Sequence, residues 1–446
     1  MPRQLFGTDG VRGRAGDFLT ADLALALARA AVARCEHERP RVLIIRDTRE
    51  SGEMLEAAIA AGITSAGGDA LLGGVLPTPA APLLLRRHGL QLAAVISASH
   101  NPFQDNGIKL FAADGFKLDD DAEHAIESAL AQPAPASARI GRVHPLPGAL
   151  EDYLRELHTR FMDLDLSGRR ILLDCANGAT HRAAPEIFRR LGAEVETIAD
   201  APDGRNINAG VGSTHLDAVI EGLRKGGHEM AFAFDGDGDR VLAVDRNGAV
   251  VDGDELIALA AVHLHARRRL AGGGVAVTVM TNYGFHRAMA DAGVQVACTA
   301  VGDRYVLDEL RRRGWTLGGE QSGHIIELGF GPSGDGIASA LLTLEALDGG
   351  DLHDRGAMAK LPQRLVNIRA ADRPALTRTI ESAAVQAAIG DEDLALQGRG
   401  RILVRVSGTE PLIRVMVEAP SVQETDAVCA RLSGAVREEL GASLVG

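Results

Sequence analysis

The feature that most limits the fold is a repeated pairing of a short β-branched run with an Ala/Leu-rich amphipathic stretch. Such alternation of strands and helices predicts an α/β fold, in which helices cover mostly parallel sheets. The three pairs are residues 41–45 with 54–60, 170–174 with 181–191, and 274–279 with 284–292. We therefore predict three similar α/β units.

The C-terminal part of the chain follows a different pattern. Two helical stretches, 374–389 and 422–440, enclose two strand-like runs at 400–406 and 412–418. This order predicts a smaller α+β domain. The expected fold class is thus α/β, with three similar domains of mixed or parallel sheet plus a smaller C-terminal α+β domain. Turn-rich segments place the domains at 1–149, 150–252, 253–364 and 365–446.

Composition excludes several classes of protein. Hydrophobic residues make up 46% of the chain and charged residues 24%, as in ordinary globular proteins. The 47 basic and 60 acidic side chains leave a formal net charge of −13. A protein that binds the phosphate backbone of a nucleic acid needs a local excess of positive charge, so we expect no nucleic-acid partner. No segment reaches ~18 uncharged apolar residues, and residues 1–14 contain Asp and Arg instead of an apolar signal region. We expect a cytoplasmic protein without a membrane partner.

Three aspartates lie at alternate positions in a loop between two apolar runs. Asp235, Asp237 and Asp239 are separated by single glycines, and strand-like residues 230–234 and 241–244 flank them. Glycine lets such a loop curl so that three carboxylate oxygens converge, as Mg²⁺ requires. Unpaired carboxylates so close together would repel one another. The spacing therefore predicts a metal site, with a solvated turn as the alternative.

A polar loop follows the apolar run at residues 92–96. Residues 97–102 read Ser-Ala-Ser-His-Asn-Pro, and open α/β sheets usually bind ligands at the carboxyl ends of strands. Ser99 is suited to accept and donate a phosphoryl group beside a cation, although an ordinary Ser/Asn-rich turn is the alternative. His100 adjoins Ser99, and neighbouring side chains generally diverge, so a Ser-His hydrolase pair is not predicted.

Two further loops carry groups that can hold a phosphorylated sugar. Near the C-terminus, two arginine guanidinium groups flank hydroxyls and a glycine N–H. Together these groups can clamp a phosphate without reacting with it. A polar β-turn is the alternative. In the other loop, Glu320 and Ser322 offer acceptors for sugar hydroxyls, and His324 offers a proton-handling or phosphate-facing group. The C-terminal set comprises Arg405, Ser407, Gly408, Thr409 and Arg414.

A dinucleotide-binding alternative arises at residues 329–334, which match G-x-G-x-x-G. A dehydrogenase would need a second strand that ends in an acidic ribose ligand. Residues 348–351 instead read as a loop, Asp-Gly-Gly-Asp. The Rossmann context is therefore incomplete.

Together these loops resemble the α-D-phosphohexomutase superfamily along essentially the whole chain. Residues 97–102 are similar to its phosphoserine loop, 235–240 to its metal loop, 320–324 to its sugar loop and 405–411 to its phosphate loop. The resemblance implies four domains around a central cleft, each contributing one of these loops.

Three stretches resemble the bacterial glucosamine-phosphate branch of the superfamily. They are residues 6–13, residues 301–306 and the sugar loop with Gln321, where mannose- and glucose-phosphate relatives typically carry Met. Two positions depart from the pattern. Residues 331–334 stand where the branch often has a Thr-rich run. Ile45, outside the four loops, replaces a common Gly before residues 46–49.

The resemblance implies a reaction in which phosphorylated Ser99 donates its phosphoryl group to O1 of glucosamine 6-phosphate. The resulting 1,6-bisphosphate reorients and returns its 6-phosphoryl group to Ser99. The implied metal ligands are Ser99 and the three aspartates, and Lys109 is the implied general acid or base, with its pKa lowered by neighbouring cations. Arg12 and His324 are further candidates for the proton relay. The implied substrate-binding residues are Arg240, Glu320, Ser322, Arg405, Ser407, Gly408, Thr409 and Arg414.

The implied cofactors are Mg²⁺ and a glucosamine or glucose 1,6-bisphosphate primer, and the implied partner is a hexosamine phosphate. The residues leave open a homodimer and an activating kinase for Ser99. They also leave open a mutase for mannose or glucose phosphates, a Mg²⁺-dependent sugar phosphatase, and a sugar-phosphate sensor without turnover.

Overall fold

The computed structural model describes residues 5–7, 9–130, 139–370, 373–407 and 410–443. The chain divides into two compact units. The first contains residues 1–280 and 293–357, and the second contains residues 281–292 and 358–446. Among the described residues, no helix combines the length and the apolar character needed to cross a membrane.

The first sheet of the first unit has six strands. They are β1 (Val11–Arg14), β2 (Arg41–Arg46), β3 (Asp69–Val75), β4 (Leu92–Ile96), β5 (Asp105–Ala112) and β6 (Val143–Pro145), in the order β1-β5-β4-β2-β3-β6. The helices between these strands are α1 (Ala21–Val32), α2 (Gly52–Ser65), α3 (Ala80–His88) and α4 (Asp120–Leu130), and α5 (Ala149–Arg160) follows β6. β2 pairs in parallel with β3 and β4, whereas β5 is antiparallel to β4.

The second sheet has five strands. They are β7 (Arg170–Asp174), β8 (Glu194–Ile198), β9 (Met230–Phe234), β10 (Val241–Asp245) and β11 (Val250–Val251), in the order β11-β10-β9-β7-β8. Its helices are α6 (Ala183–Arg190) and α7 (Asp217–Gly226). Every residue of β9 is buried, which explains its continuous apolar run, since strands covered on both faces need no polar side.

The third sheet contains β12 (Gly274–Thr278), β13 (Gln295–Thr299), β14 (Leu317–Gly319) and β15 (Ile325–Glu327), in the order β13-β12-β14-β15. The helices in this part of the chain are α8 (Gly253–Ala266), α9 (Tyr283–Asp291), α10 (Asp303–Arg313) and α11 (Gly336–Leu347), with short 3-10 helices at Ala271–Gly273 and Leu352–Asp354. The helix predicted at 284–292 is present as α9. It groups with the second compact unit, because the segment 281–292 belongs to that unit.

The second unit has an antiparallel sheet of β16 (Gln363–Arg369), β17 (Arg401–Val406) and β18 (Leu412–Glu418), in the order β16-β18-β17. Its other helices are α12 (Arg373–Glu381), α13 (Ala383–Leu396) and α14 (Val422–Ser443). The predicted fold class is confirmed, with three mixed α/β sheets and a smaller C-terminal α+β part. The finer domain boundaries stay predictions.

The three α/β sheets share one topological position for their polar loops. In each, a strand with a parallel neighbour ends in the loop and the chain returns as an antiparallel strand: β4 to β5, β9 to β10, and β14 to β15. These loops contain residues 97–104, 235–240 and 320–324. The fold therefore presents all three at the carboxyl ends of strands, where α/β sheets bind ligands.

Candidate active site

The loop after β4 meets the loop after β9 at Ser99. The hydroxyl Oγ of Ser99 donates a hydrogen bond to Oδ2 of Asp235 at 2.5 Å. Both residues are only 1% exposed. The structure therefore brings together the predicted phosphoryl-carrying serine and the first of the predicted metal ligands, which are 136 residues apart in sequence.

Ser99 has an unusual backbone conformation. Its φ is +52°, in the left-handed region that non-glycine residues rarely adopt. This conformation leaves Nδ1 of His100 3.4 Å from the Ser99 hydroxyl, so the expectation that the two side chains diverge is wrong. Burial lowers the pKa of His100, and Arg240 and Arg12 lower it further. These effects favour the neutral form of the ring that faces Ser99.

The three aspartates converge as the spacing predicts. One ligand oxygen from each lies within 4.8 Å of the others. Oδ1 of Asp237 is buried without a hydrogen-bond partner among the described residues. Burial raises the pKa of Asp235 well above its ordinary value, and repulsion from Asp239 and Asp237 raises it further. Hard oxygen ligands that repel one another fit a divalent cation such as Mg²⁺.

Lys109, on β5, reaches into this carboxylate cluster. Its Nζ lies 2.8 Å from Oδ2 of Asp237, 3.1 Å from Oδ2 of Asp9 and 3.5 Å from Oδ2 of Asp239. Burial by itself lowers the pKa of Lys109, but these three carboxylates outweigh burial and raise it, while Arg12 opposes them only in part. The predicted lowering of this pKa by neighbouring cations is therefore wrong.

Arg12 contacts the serine loop from β1. Its Nη1 donates to the carbonyl of Ala98 at 3.3 Å, and its Nη2 pairs with Asp9. Asp9 also accepts a hydrogen bond from Lys117, whose Nζ lies 2.6 Å from Oδ2 of Asp303. Sequence reasoning assigned no role to Asp9, Lys117 or Asp303. Asp9 and Asp303 lie in the stretches that resemble the glucosamine-phosphate branch, whereas no sequence motif included Lys117.

His324, the last residue of the sugar loop, faces the metal loop. Its Nδ1 is 3.6 Å from Oδ1 of Asp239, and its Nε2 is 3.8 Å from Oδ2 of Asp303. Burial lowers the pKa of His324, but these two carboxylates raise it by more. Nε2 also accepts the backbone N–H of Gly334 at 3.1 Å. In the neutral ring the proton therefore lies on Nδ1 and faces Asp239.

Of the remaining predicted residues of the first unit, Arg240 contacts this cluster directly. Arg240 donates its backbone N–H to Oδ1 of Asp235 at 3.1 Å, and its Nε is 3.8 Å from Oδ1 of Asp239. Glu320 is half-buried, and its Oε1 accepts the backbone N–H of Gly302 at 3.0 Å. Ser322 is exposed.

The predicted phosphate clamp belongs to the second unit. Arg405 on β17 and Arg414 on β18 are directly opposite in the antiparallel register. Like charges in opposite positions destabilise a sheet, and a bound anion would relieve that repulsion. Ser407 accepts the backbone N–H of Glu410 at 3.3 Å, and Nη2 of Arg414 is 3.7 Å from Oε2 of Glu410. Two predicted members of the clamp, Gly408 and Thr409, lie outside the described residues.

Comparisons with known proteins give matches over nearly the whole chain. Four models of the phosphoglucomutase/phosphomannomutase family match the chain: alpha/beta/alpha domain I at residues 3–136, domain II at 151–248, domain III at 252–364 and the C-terminal domain at 365–435. The chain is 48% identical over 439 residues to the phosphoglucosamine mutase of Moorella thermoacetica, which covers 96% of this chain and 98% of the relative. It is 46% identical over 467 residues to that of Parafrankia sp., with 98% and 99% covered.

Solved structures share the fold. A phosphoglucomutase/phosphomannomutase family protein from Burkholderia thailandensis superposes with a TM-score of 0.81 at 24% identity, covering 99% of this chain and 98% of that one. The N-acetylphosphoglucosamine mutase of Aspergillus fumigatus, solved with GlcNAc-6P and magnesium, gives 0.67 at 19% identity, covering 98% and 96%. The predicted resemblance is therefore confirmed, and the chain belongs to the phosphoglucomutase/phosphomannomutase family.

Proposed function

We propose that the protein is an isomerase that interconverts glucosamine 6-phosphate and glucosamine 1-phosphate. The observation that carries this proposal is the 2.5 Å hydrogen bond from Ser99 Oγ to Asp235, inside a buried group of three carboxylates. A serine hydroxyl that can carry a phosphoryl group beside a cation site is what phosphoryl transfer through the enzyme requires. The choice of glucosamine follows the relatives, which are named phosphoglucosamine mutase and are 44–48% identical.

The proposed reaction has two phosphoryl transfers. In the first, the bond between phosphorus and Oγ of phosphorylated Ser99 breaks, a bond to O1 of glucosamine 6-phosphate forms, and the O1 proton passes to Oγ. The 1,6-bisphosphate then reorients in the site. In the second, the bond between phosphorus and O6 breaks, the bond to Oγ re-forms, and the proton ends on O6. Ser99 must be phosphorylated at the start, so a 1,6-bisphosphate of glucosamine or glucose is the proposed primer.

Asp235, Asp237 and Asp239, with an oxygen of the phosphate on Ser99, are the proposed ligands of Mg²⁺. When bound, this ion supplies positive charge that offsets the charge on the transferring phosphoryl group. Two features make these residues suitable for Mg²⁺. They offer hard oxygen ligands, and the buried Oδ1 of Asp237 has no hydrogen-bond partner in the part of the chain that the structure describes.

Protons are handled, in this proposal, by groups that surround the serine. The carboxylates around Lys109 raise its pKa, so we expect a fixed cation that offsets the charge of the transferring phosphoryl group, and the raised pKa disfavours the predicted role of Lys109 as a general acid or base. His324 places its Nδ1 proton toward Asp239 and has Nε2 on the side of Asp303. Because Nε2 already accepts the backbone N–H of Gly334, His324 could relay the sugar hydroxyl proton only after giving up that hydrogen bond. Arg12 holds the carbonyl of Ala98 and adds positive charge beside the phosphoryl group.

The substrate itself would be held by two sets of groups. Arg240, Glu320 and Ser322 would contact the sugar in either orientation, whereas the clamp of the second unit would hold the phosphate that is not reacting. That clamp comprises Arg405, Ser407, Gly408, Thr409 and Arg414. A homodimer, an activating kinase and the cytoplasmic location stay predictions.

A rate comparison tests the proposed function. The purified protein, with Mg²⁺ and glucose 1,6-bisphosphate, is assayed on the 6-phosphates of glucosamine, glucose and mannose. We expect kcat/KM to be at least about 10-fold higher for glucosamine 6-phosphate, which corresponds to the net free energy of about one hydrogen bond. Equal or faster turnover of glucose or mannose 6-phosphate would contradict the substrate assignment. Release of inorganic phosphate in step with substrate loss would identify a phosphatase, and binding without turnover would identify a sensor.

The Gly236→Ala variant tests the contact between the two loops. A Cβ at position 236 would lie 2.6 Å from the carbonyl oxygen of Ser99 and 2.7 Å from Nδ2 of Asn208. The metal loop must then move away from Ser99, and displacement of reacting groups by about 1 Å costs about 10²-fold in rate. We expect kcat to fall by about that factor. The control is Gly390→Ala on α13, where a Cβ has open space; a normal kcat for Gly236→Ala would show that the close approach is dispensable.

A further inference from the structure

Arg49 lies between β2 and α2, in the segment to which the sequence analysis gave no role. Its side chain is 0% exposed. A guanidinium has five N–H groups, and every one of them is used here. Nε donates to Oδ2 of Asp47 at 2.8 Å, Nη2 donates to the carbonyls of Ser99 and Asn101 at 2.9 Å each, and Nη1 donates to the carbonyls of Pro102 and Asp105.

The same buried ion pair also reaches the N–H side of Ser99. Oδ2 of Asp47 accepts a hydrogen bond from Oγ of Ser97 at 2.6 Å, and that Oγ accepts the backbone N–H of Ser99 at 2.9 Å. The N–H and the carbonyl of Ser99 are thus both connected to the pair of Asp47 and Arg49. Residues held in the left-handed region keep that conformation only when their surroundings impose it.

Asn208 holds the serine loop from another side. Its Nδ2 donates to the carbonyl of Ser99 at 2.9 Å and to the carbonyl of Asn101 at 3.1 Å. These are the two carbonyls that Nη2 of Arg49 also contacts. Asn208 follows β8, in the part of the chain that carries the metal loop, and its Nδ2 lies 2.7 Å from the position of a Cβ on Gly236. The serine loop is therefore fixed relative to the metal loop.

Electrostatics explains why an arginine is needed. The carbonyls of Ser99 and Asn101 point toward one place, so their negative ends repel each other and would also repel a phosphate on Ser99. A planar guanidinium donates to both at once and adds positive charge, whereas the ammonium group of lysine cannot match five fixed acceptors.

We propose that Arg49 and Asn208 are positioning residues for phosphoryl transfer. They hold the peptide of Ser99 in the left-handed conformation that directs its Oγ at Asp235. The inference rests on the proposed function for its kinetic readout only, because the conformation of the loop can be measured independently.

The kinetic experiment compares Arg49→Lys, Asn208→Ala and Arg160→Lys in the full chain. Arg160 is a matched control: it is 11% exposed and bonds both oxygens of Glu327, far along the chain from the serine loop. We expect Arg49→Lys to lower kcat by about 10²-fold and Asn208→Ala by about 10-fold, with KM changed less than about 3-fold. Arg160→Lys should keep kcat within about 2-fold.

A second readout is amide hydrogen exchange, which needs no activity. We expect faster exchange over residues 97–106 in Arg49→Lys, with the rest of the protein unchanged, and no such local change in Arg160→Lys. Three results for Arg49→Lys would overturn the inference. They are a normal kcat, an effect on KM alone, and a fall in kcat no larger than the fraction of the protein that is unfolded. If Arg49→Lys does not fold, Asn208→Ala decides the question by the same criteria. If the wild type shows no mutase turnover, the proposed function fails while hydrogen exchange still tests the positioning.

Discussion

Replacing Ser99 with alanine is expected to lower kcat by about 10⁴-fold or more, as removal of a nucleophile does in other enzymes that work through a covalent intermediate. The methyl group cannot accept the phosphoryl group, so neither transfer can proceed. KM for the sugar phosphate should change little, because the proposed sugar and phosphate contacts remain. The fold should also remain, since the variant removes one hydroxyl and its hydrogen bond to Asp235.

Intact-mass analysis checks this prediction directly. Wild-type protein treated with glucose 1,6-bisphosphate should gain one phosphoryl group, and Ser99→Ala should gain none. The matched control is Ser128→Ala, because the Ser128 hydroxyl is exposed on α4 and bonds only the carbonyl of His124 among the described residues. A phosphoryl group that still attaches to Ser99→Ala, or turnover above about 1% of wild type, would show that another residue carries it.

Sequence reasoning succeeded where a local pattern determines the geometry. Alternate aspartates separated by glycines predicted a convergent carboxylate group, and their oxygens lie within 4.8 Å of one another. The alternation of strands and helices predicted the α/β class because each apolar run must be covered by its neighbours. Local patterns identified the serine loop and the metal loop separately, and only the resemblance to a known family implied that they meet at one metal ion. Their contact depends on β4 and β9 occupying equivalent positions in two sheets, which no local pattern reports.

The supporting residues could not be predicted from the sequence. Arg49 and Asn208 act on Ser99 from 50 and 109 residues away. In sequence, an arginine looks the same whether it is solvated or fully buried, and charged residues are rarely buried without partners. The pKa of Lys109 was predicted in the wrong direction for the same reason. Only the fold reveals that Asp237, Asp9 and Asp239 all lie within ion-pair distance of its Nζ.

Replacing Asp235 with asparagine is expected to change activity and stability in opposite directions. The variant loses one metal ligand, and we expect kcat to fall by about 10³-fold because less charge offsets the transferring phosphoryl group. Without Mg²⁺ the variant should be more stable than wild type at pH 8. Burial and the repulsion from Asp239 and Asp237 raise the pKa of Asp235, so its ionised form destabilises the metal-free fold and a neutral amide removes that cost.

The pH dependence follows from the direction of this pKa shift. A carboxyl group whose pKa is raised by folding binds its proton more tightly in the folded protein, so its contribution to stability falls as pH rises above its ordinary pKa. In EDTA, the melting temperature of wild type should therefore fall relative to that of Asp235→Asn as pH rises from about 4, the ordinary pKa of an aspartate, to 8. We expect the variant to melt about 2–4 °C higher at pH 8, the shift that ~1 kcal/mol produces in a domain of a few hundred residues.

Addition of Mg²⁺ should reverse the order of the two proteins, because a ligand that binds only the folded state stabilises it by mass action. Asp245→Asn is the matched control. Asp245 is also buried at 1% exposed, but the N–H of Ala249 and the side chain of His353 lower its pKa against the effect of burial. Its amide variant should lose stability with or without Mg²⁺. If Asp235→Asn also melted below wild type in EDTA, the three carboxylates would not be held together against their own repulsion, and the metal assignment would lose its electrostatic basis.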